Sequence, residues 1–264
     1  MMGILTWTAP AGGLAHRRVR LEERKILGAR FLEASVARGP KTPEAAVRRR
    51  VLAAARRLRK AGVTRAVLPE GFAYGPELER GGLAPVSTLF LRRSMAADLA
   101  RSALAARGER AGGRLAAAGD RLTGEMARAV TELALGNRYV LLDVPYGAEA
   151  LAAQLRREYG VSLLLSPARE QLEEADVLLL FDPRPDLKPG GSTVRLYEET
   201  APLPPLLLPP AQESGVPAGL SRPQLLAALV EEGALRPGQI AIGTPQRGEA
   251  AGILNFLETG RPGA

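Results

Sequence analysis

The chain has 264 residues, 46% of them apolar and 24% charged, with a formal net charge of +8. That length suits one large domain or two modest ones, with enough apolar residues for a substantial core. It has no cysteine and a single histidine, His16, which excludes disulfides, thiolate nucleophiles, zinc–thiolate sites and iron–sulfur clusters and leaves a Ser-His-Asp triad little to build on.

The charge is uneven. Residues 1–66 hold 16 Lys or Arg against 4 Glu, and the rest of the chain holds 20 basic against 24 acidic residues. Only four basic residues are Lys, an Arg, Ala, Gly, Pro and Leu bias that a GC-rich, bacterial-type genome would write. His16, beside Arg17 and Arg18, reads as solvated. No apolar run reaches the length of a membrane helix, so no membrane partner is expected. The N-terminal MMGILTWTAPAGG has no basic segment ahead of its apolar part, so it reads as a strand and the protein as soluble and cytoplasmic.

GILTWT (3–8) is an edge or first strand. AHRRVRLEERKILGARFLEASVARG (15–39) has helical spacing, with Leu27, Phe31 and Ala34 on one face, ended by Gly39-Pro40. Thr42 is expected to cap a second helix over 43–61, with Pro43 at its first position. Val47, Val51, Ala54 and Leu58 form its apolar stripe. VTRAVLPE (63–70) reads as a buried strand, and the region 83–108 as a short strand followed by a helix.

The same grammar continues. GGRLAAAGD (112–120) is a strand, and Thr123 caps the helix 124–136. RYVLLDV (138–144) and VSLLLSP (161–167) are strands around a helix over 148–160. A helical turn at 170–175 precedes the strand DVLLLFDP (176–183), and KPGGSTVRLYEE (188–199) holds one more. APLPPLLLPPAQESGVP (201–217) is a Pro-rich connector. Ser221 caps a helix, QIAIG (239–243) is a strand, and 247–260 is a last helix.

Strands this continuously apolar are covered on both faces. The expected fold is α/β, a doubly wound, mostly parallel sheet with helices on both faces and a Rossmann-like C-terminal half. The expected division is an N-terminal α/β region over 1–110, carrying the basic helices, and a Rossmann-like domain over 111–264.

Dinucleotide-binding domains carry G-x-G-x-x-G at the first strand–helix turn. Set on the strand 138–144 and the helix marked by Leu151 and Leu155, the three glycine positions fall on Asp143, Pro145 and Ala148. The acidic position at the end of the next strand falls on Ser166-Pro167. Proline adds a ring and removes an N–H donor, and aspartate sets a negative charge against a phosphate. The order of elements over 112–186, with EYG closing a helix, VSLLLSP, then ADVLLLFDP, nonetheless resembles the cofactor domain of NAD(P)-dependent dehydrogenases of the shikimate-dehydrogenase type. The resemblance implies the fold; the lost glycines speak against the NAD(P) cofactor, and no cofactor is expected at this turn.

Four expected strands end in a carboxylate: Glu70, Asp120, Asp143 and Asp182. Ligands of open α/β sheets sit at those strand ends. The strands ending in Asp143 and Asp182 are expected to be neighbours, where two carboxylates could hold Mg²⁺ or raise one another's pKa. Asp before a helix also serves as a cap. Thr123, Tyr146, Gly147 and Ser166 would line the same edge, with Tyr146 the best polar contact.

On the helix 43–61, Arg49, Arg56 and Lys60 share a face, as do Arg48 with Arg59 and Arg50 with Arg57. Such a face could attract phosphate backbones without reading sequence, or stay solvated. The leading reading is a ligand-binding or regulatory protein, its partner a small molecule or a protein, that does not bind dinucleotide in the usual way. The alternatives are a carboxylate- or Mg²⁺-dependent enzyme at Asp120, Asp143 and Asp182, and a non-specific nucleic-acid or acidic-partner module using Arg48, Arg49, Arg56 and Lys60.

Overall fold

The computed structural model describes residues 1–9, 19–108 and 112–243. The chain opens with β1 (Met2–Thr8), β2 (Arg20–Ile26), β3 (Ala29–Ala37), α1 (Glu44–Lys60), β4 (Arg65–Val67), α2 (Gly75–Arg80) and β5 (Ala84–Pro85). It continues through α3 (Leu89–Ser94), α4 (Ala96–Ala106), β6 (Leu115–Ala118), α5 (Gly124–Gly136), β7 (Val140–Asp143), α6 (Ala148–Tyr159), β8 (Leu164–Leu165) and α7 (Arg169–Glu173). It closes with β9 (Val177–Leu180), β10 (Ser192–Arg195), β11 (Leu206–Leu207), α8 (Pro210–Glu213), α9 (Arg222–Glu231) and β12 (Ala241–Ile242). His16 and the expected helix 247–260 lie outside the described residues.

These elements form two compact units. Among the described residues, the first is Met1–Thr88 with Leu208–Gln239, and the second is Leu89–Leu207 with Ile240–Gly243. The chain therefore changes unit at residues 88, 207 and 239, where the sequence suggested a single divide near 110. The Pro-rich connector is split: β11 pairs antiparallel with β12 in the second unit, and α8 belongs to the first.

In the first unit the strand order is β2-β3-β1-β4-β5. β1 is thus a central strand, parallel to β3 on one side and β4 on the other. Helix α1 lays Val47, Val51, Ala54, Ala55 and Leu58 into a cluster with Leu5, Ala34, Val36 and Ala66, the stripe expected from the sequence. The returning segment is tied to β4: Gln224 Oε1 accepts from Leu68 N–H at 2.9 Å, and Arg65 pairs with Glu231 at 2.7 Å.

The expected helix over 15–39 is, in its described part, an antiparallel hairpin of β2 and β3. Ile26 pairs with Ala29, leaving the two-residue turn Leu27-Gly28 at φ 46° and 96°. Positive φ at both centres matches the right-handed twist of the flanking strands. The spacing of Leu27, Phe31 and Ala34 also fits a helix, but Ala34 and Val36 join the cluster under α1 while Phe31, fully buried, lies outside it. That is a period of two. Thr42 does not cap α1: its hydroxyl accepts from Gly39 N–H at 2.9 Å, and Pro43 is the cap residue. Helix α2, with a proline in its first turn, was not anticipated.

The second unit holds the parallel sheet β10-β9-β6-β7-β8. Every residue of β6 and β9 is buried. Ala116, Ala118, Leu141, Leu178 and Leu180 form one cluster with Leu172 of α7, and α4 packs against β9 from its own segment. A strand with no exposed residue must be covered on both faces, as the doubly wound arrangement requires. β8 departs from the expectation of a buried strand: it is a two-residue edge strand, exposed at Leu164. Thr123 caps α5 as expected, its hydroxyl accepting from Met126 N–H at 3.3 Å.

The hairpin is tested by Gly28→Ala. An added methyl would meet nothing within 4 Å, so only the positive φ resists it. The expected result is a loss of about 1 kcal/mol in chemical denaturation. In a helix the same change would stabilise by a similar amount, so the sign decides.

Candidate functional site

Read from β6, the sheet order β8-β7-β6-β9-β10 is the 3-2-1-4-5 arrangement of dinucleotide-binding folds. β6 is therefore the first strand, and β7 is the second. The turn that corresponds to the phosphate-binding turn is the one from β6 to α5, not the one from β7 to α6. This corrects the register used in the sequence. It also separates Asp143 from Asp182: β6 lies between β7 and β9, so their strands are two ladder spacings, roughly 10 Å, apart.

The β6–α5 turn reads Gly119-Asp120-Arg121-Leu122-Thr123-Gly124. The first and third glycine positions are filled by Gly119 and Gly124, and an exposed Arg121 holds the second. Asp143, at the end of the next strand, occupies the position of the acid that holds ribose hydroxyls. These letters are present in the sequence, but only the strand order makes β6 the first strand.

What occupies the turn is a carboxylate. Asp182, in the loop after β9, accepts from Asp120 N–H at 2.9 Å through Oδ2. A Cβ built on Gly119 would stand 3.0 Å from that same oxygen and 3.3 Å from Phe181 Cβ. Gly119 is thus needed for the close approach of Asp182. The amide that would face a pyrophosphate is already bonded to an internal anion.

Asp143 is also engaged. Arg184 donates from Nη1 to Asp143 Oδ2 at 2.5 Å and grips Asp186 with two bonds of 3.0 Å. The Asp186 hydrogen bonds are the main cause that raises the Arg184 guanidinium, opposed by partial burial and helped by Asp143. In return Arg184 holds the Asp186 carboxyl below its ordinary 3.8. Arg93 donates to Phe181 O at 3.2 Å, at the end of β9, and its buried Nε has no hydrogen-bond partner among the described residues.

The remaining candidates are dispersed. Tyr146 is 80% exposed. Gly147 precedes α6 at φ 88°, against Leu122. Ser166 is exposed at φ 45° beside the edge strand. Glu70 lies in the other unit, where its N–H bonds to Gly219 O. Among the described residues no group of three or more acidic or histidine side chains is placed to hold a metal ion.

On α1, Arg50 and Arg57 are structural: they donate to Ala37 O at 2.6 Å and Val19 O at 2.5 Å. Arg48 pairs with Glu44 at 3.6 Å, and Arg49 donates to Ala45 O of its own helix. Arg56 and Lys60 are exposed.

No protein-family model matches the chain, and no curated protein matches it. Among solved structures it is similar to L-tryptophan dehydrogenase from Nostoc punctiforme, at 11% identity and a TM-score of 0.26, over 68% of this chain and 55% of that one. It is also similar to D-lactate dehydrogenase with NAD+ from Lactobacillus jensenii, at 13% identity and a TM-score of 0.26, over 70% of this chain and 64% of that one. The chain spans less than two thirds of the length of either.

The Asp186–Arg184 pair has a pH signature. A folded-state pKa below the unfolded one means that the unfolded chain binds the proton more tightly. The contribution is full above the ordinary 3.8 of Asp186 and fades as pH falls through the lowered value. Arg184→Gln should make stability less dependent on pH below about 4 in urea titrations followed by circular dichroism. An unchanged acid limb would mean that the pair contributes nothing in solution.

Proposed function

We propose that the protein is a ligand-binding or regulatory α/β protein whose second unit takes a small polar molecule at the carboxyl ends of β6, β7 and β9, without seating a dinucleotide pyrophosphate on the β6–α5 turn. The observation that carries this reading is the Asp182 carboxylate on the Asp120 amide. A phosphate arriving there would meet a like charge. At 4 Å and an effective dielectric of 20 that repulsion is about 4 kcal/mol.

The groups that remain suit hydroxyl or ammonium donors and a single acceptor. Asp120 is exposed and offers a carboxylate. Asp143 keeps one oxygen outside its contact with Arg184 Nη1. Arg93 Nε is a donor in want of an acceptor, and a buried unpaired donor calls for a partner. The sheet edge at an order reversal is where ligands of such folds bind.

Two measurements test this. Titration of NADH and NADPH, followed by nicotinamide fluorescence, should give no saturable binding below about 100 µM; tight binding that Asp182→Ala strengthens and Asp143→Asn abolishes would overturn the reading. A thermal-shift screen of polyhydroxylated and amine-bearing metabolites should find one that raises Tm by several degrees near 100-fold excess over Kd, equivalent to about 2.7 kcal/mol. Asp143→Asn should remove that rise. A hit indifferent to Asp143→Asn would place the ligand elsewhere.

A further inference from the structure

The first unit has its own order reversal. The chain passes from β3 through α1 to β4, crossing β1, which lies between them. At the carboxyl ends of these three strands an aromatic cluster gathers. Trp7 stacks on Phe72 with ring centroids 5.9 Å apart and an interplanar angle of 20°. Tyr74 meets both edge-on, at 5.7 Å and 5.5 Å. The chain has one Trp, five Tyr and five Phe in all, so three aromatics at one sheet edge are a concentration.

Trp7 and Phe72 are half-buried, and Tyr74 is buried with its hydroxyl donating to Glu44 Oε2 at 3.2 Å. Glu44 is the first residue of α1. The exposed Arg38 lays its guanidinium over Trp7, 5.0 Å from the ring centroid, and 5.7 Å from Tyr74. Among the described residues no carboxylate forms an ion pair with Arg38. A planar cation therefore covers an aromatic face at a sheet edge, in the position a planar ligand would take.

A line of cations leads away from this edge along α1, which begins here at Glu44. α1 carries seven Lys or Arg and one acid over 17 residues, a length of roughly 25 Å at 1.5 Å per residue. Arg49, Arg56 and Lys60 are exposed. An aromatic platform followed by exposed cations is what single-stranded nucleic acids require: bases stack, and phosphates displace counterions. Base readout in a duplex groove needs side chains projecting from an inserted element, and the aromatics here lie packed on one another instead.

We infer that the first unit binds single-stranded nucleic acid, a base stacking on Trp7 with Arg38 turning to its phosphate and the backbone continuing along α1. This site lies wholly within the first unit and is independent of the ligand edge of the second, so either reading can fail without the other.

Trp7 is the only tryptophan, so its emission reports this site alone. An oligodeoxythymidylate of about 12 nucleotides should quench it saturably at low salt, with affinity falling steeply as salt rises. Arg38→Gln, at an exposed position, should weaken binding by about tenfold or more. Trp7→Phe, followed by anisotropy of a labelled strand, should keep more affinity than Trp7→Ala, with circular dichroism reporting that both remain folded. No quenching at low salt would overturn the proposal. So would equal quenching by adenosine monophosphate, which would mark a mononucleotide site, or by inorganic polyphosphate, which would mark charge without stacking. Undiminished binding by Arg38→Gln would overturn it too.

Discussion

Strand β6 is hydrogen-bonded on both edges, to β7 and β9, and none of its residues reaches solvent. A strand confined in this way can vary only at its ends. The chain leaves β6 through a short turn into α5 and returns directly beside it on either side, through β7 and β9. Everything that converges on the turn is set by that placement. Asp120 follows the strand itself, Asp143 closes its neighbour on one side, and Asp182 follows its neighbour on the other. The small side chains Ala116 and Ala118, on one face of the strand, pack in one cluster with Leu172 of α7.

Within that frame the acids differ because their partners differ. Asp182 satisfies an amide of the turn, and Gly119 makes room for it. Asp143 is held by Arg184, which Asp186 holds in turn. Both are part-exposed interactions, so their worth lies in fixing geometry more than in stability. The result is an edge whose anionic groups are ordered and whose phosphate-facing amide is occupied. Arginine at the second glycine position adds side-chain bulk where close backbone approach would otherwise be possible.

The two units use arginine for different ends. In the first, Arg50 and Arg57 reach from α1 to backbone carbonyls at Ala37 and Val19, so part of the basic helix is structural. Of the rest, Arg48 pairs with Glu44, while Arg49, Arg56 and Lys60 face solvent. In the second, Arg92 is 5% exposed and donates to Glu199 O and Ala201 O, and burial lowers its pKa despite nearby Glu199 and Glu198. A composition bias toward arginine is thus compatible with specific work at particular positions, and only the contacts distinguish the two.

Much of this was legible in the residues. Apolar patterning placed α1, α5, α6 and α9 and the buried runs of β6, β7 and β9, because an apolar stripe or an unbroken apolar run is a local property of the sequence. Thr123 announced its cap. The hairpin of β2 and β3 was not legible, since Leu27, Phe31 and Ala34 satisfy helical spacing as well; the choice fell to the pairing of β3 with β1, a contact between residues far apart in sequence. Strand order was equally hidden. The letters Gly119, Gly124 and Asp143 were present throughout, but which strand comes first in a sheet is a fact of tertiary pairing. The sequence by itself determined that the chain would layer helices on parallel strands, since apolar runs must be buried. Only the tertiary structure decided which turn faces the reversal, and that the carboxylate of Asp182, 62 residues from Asp120, closes it.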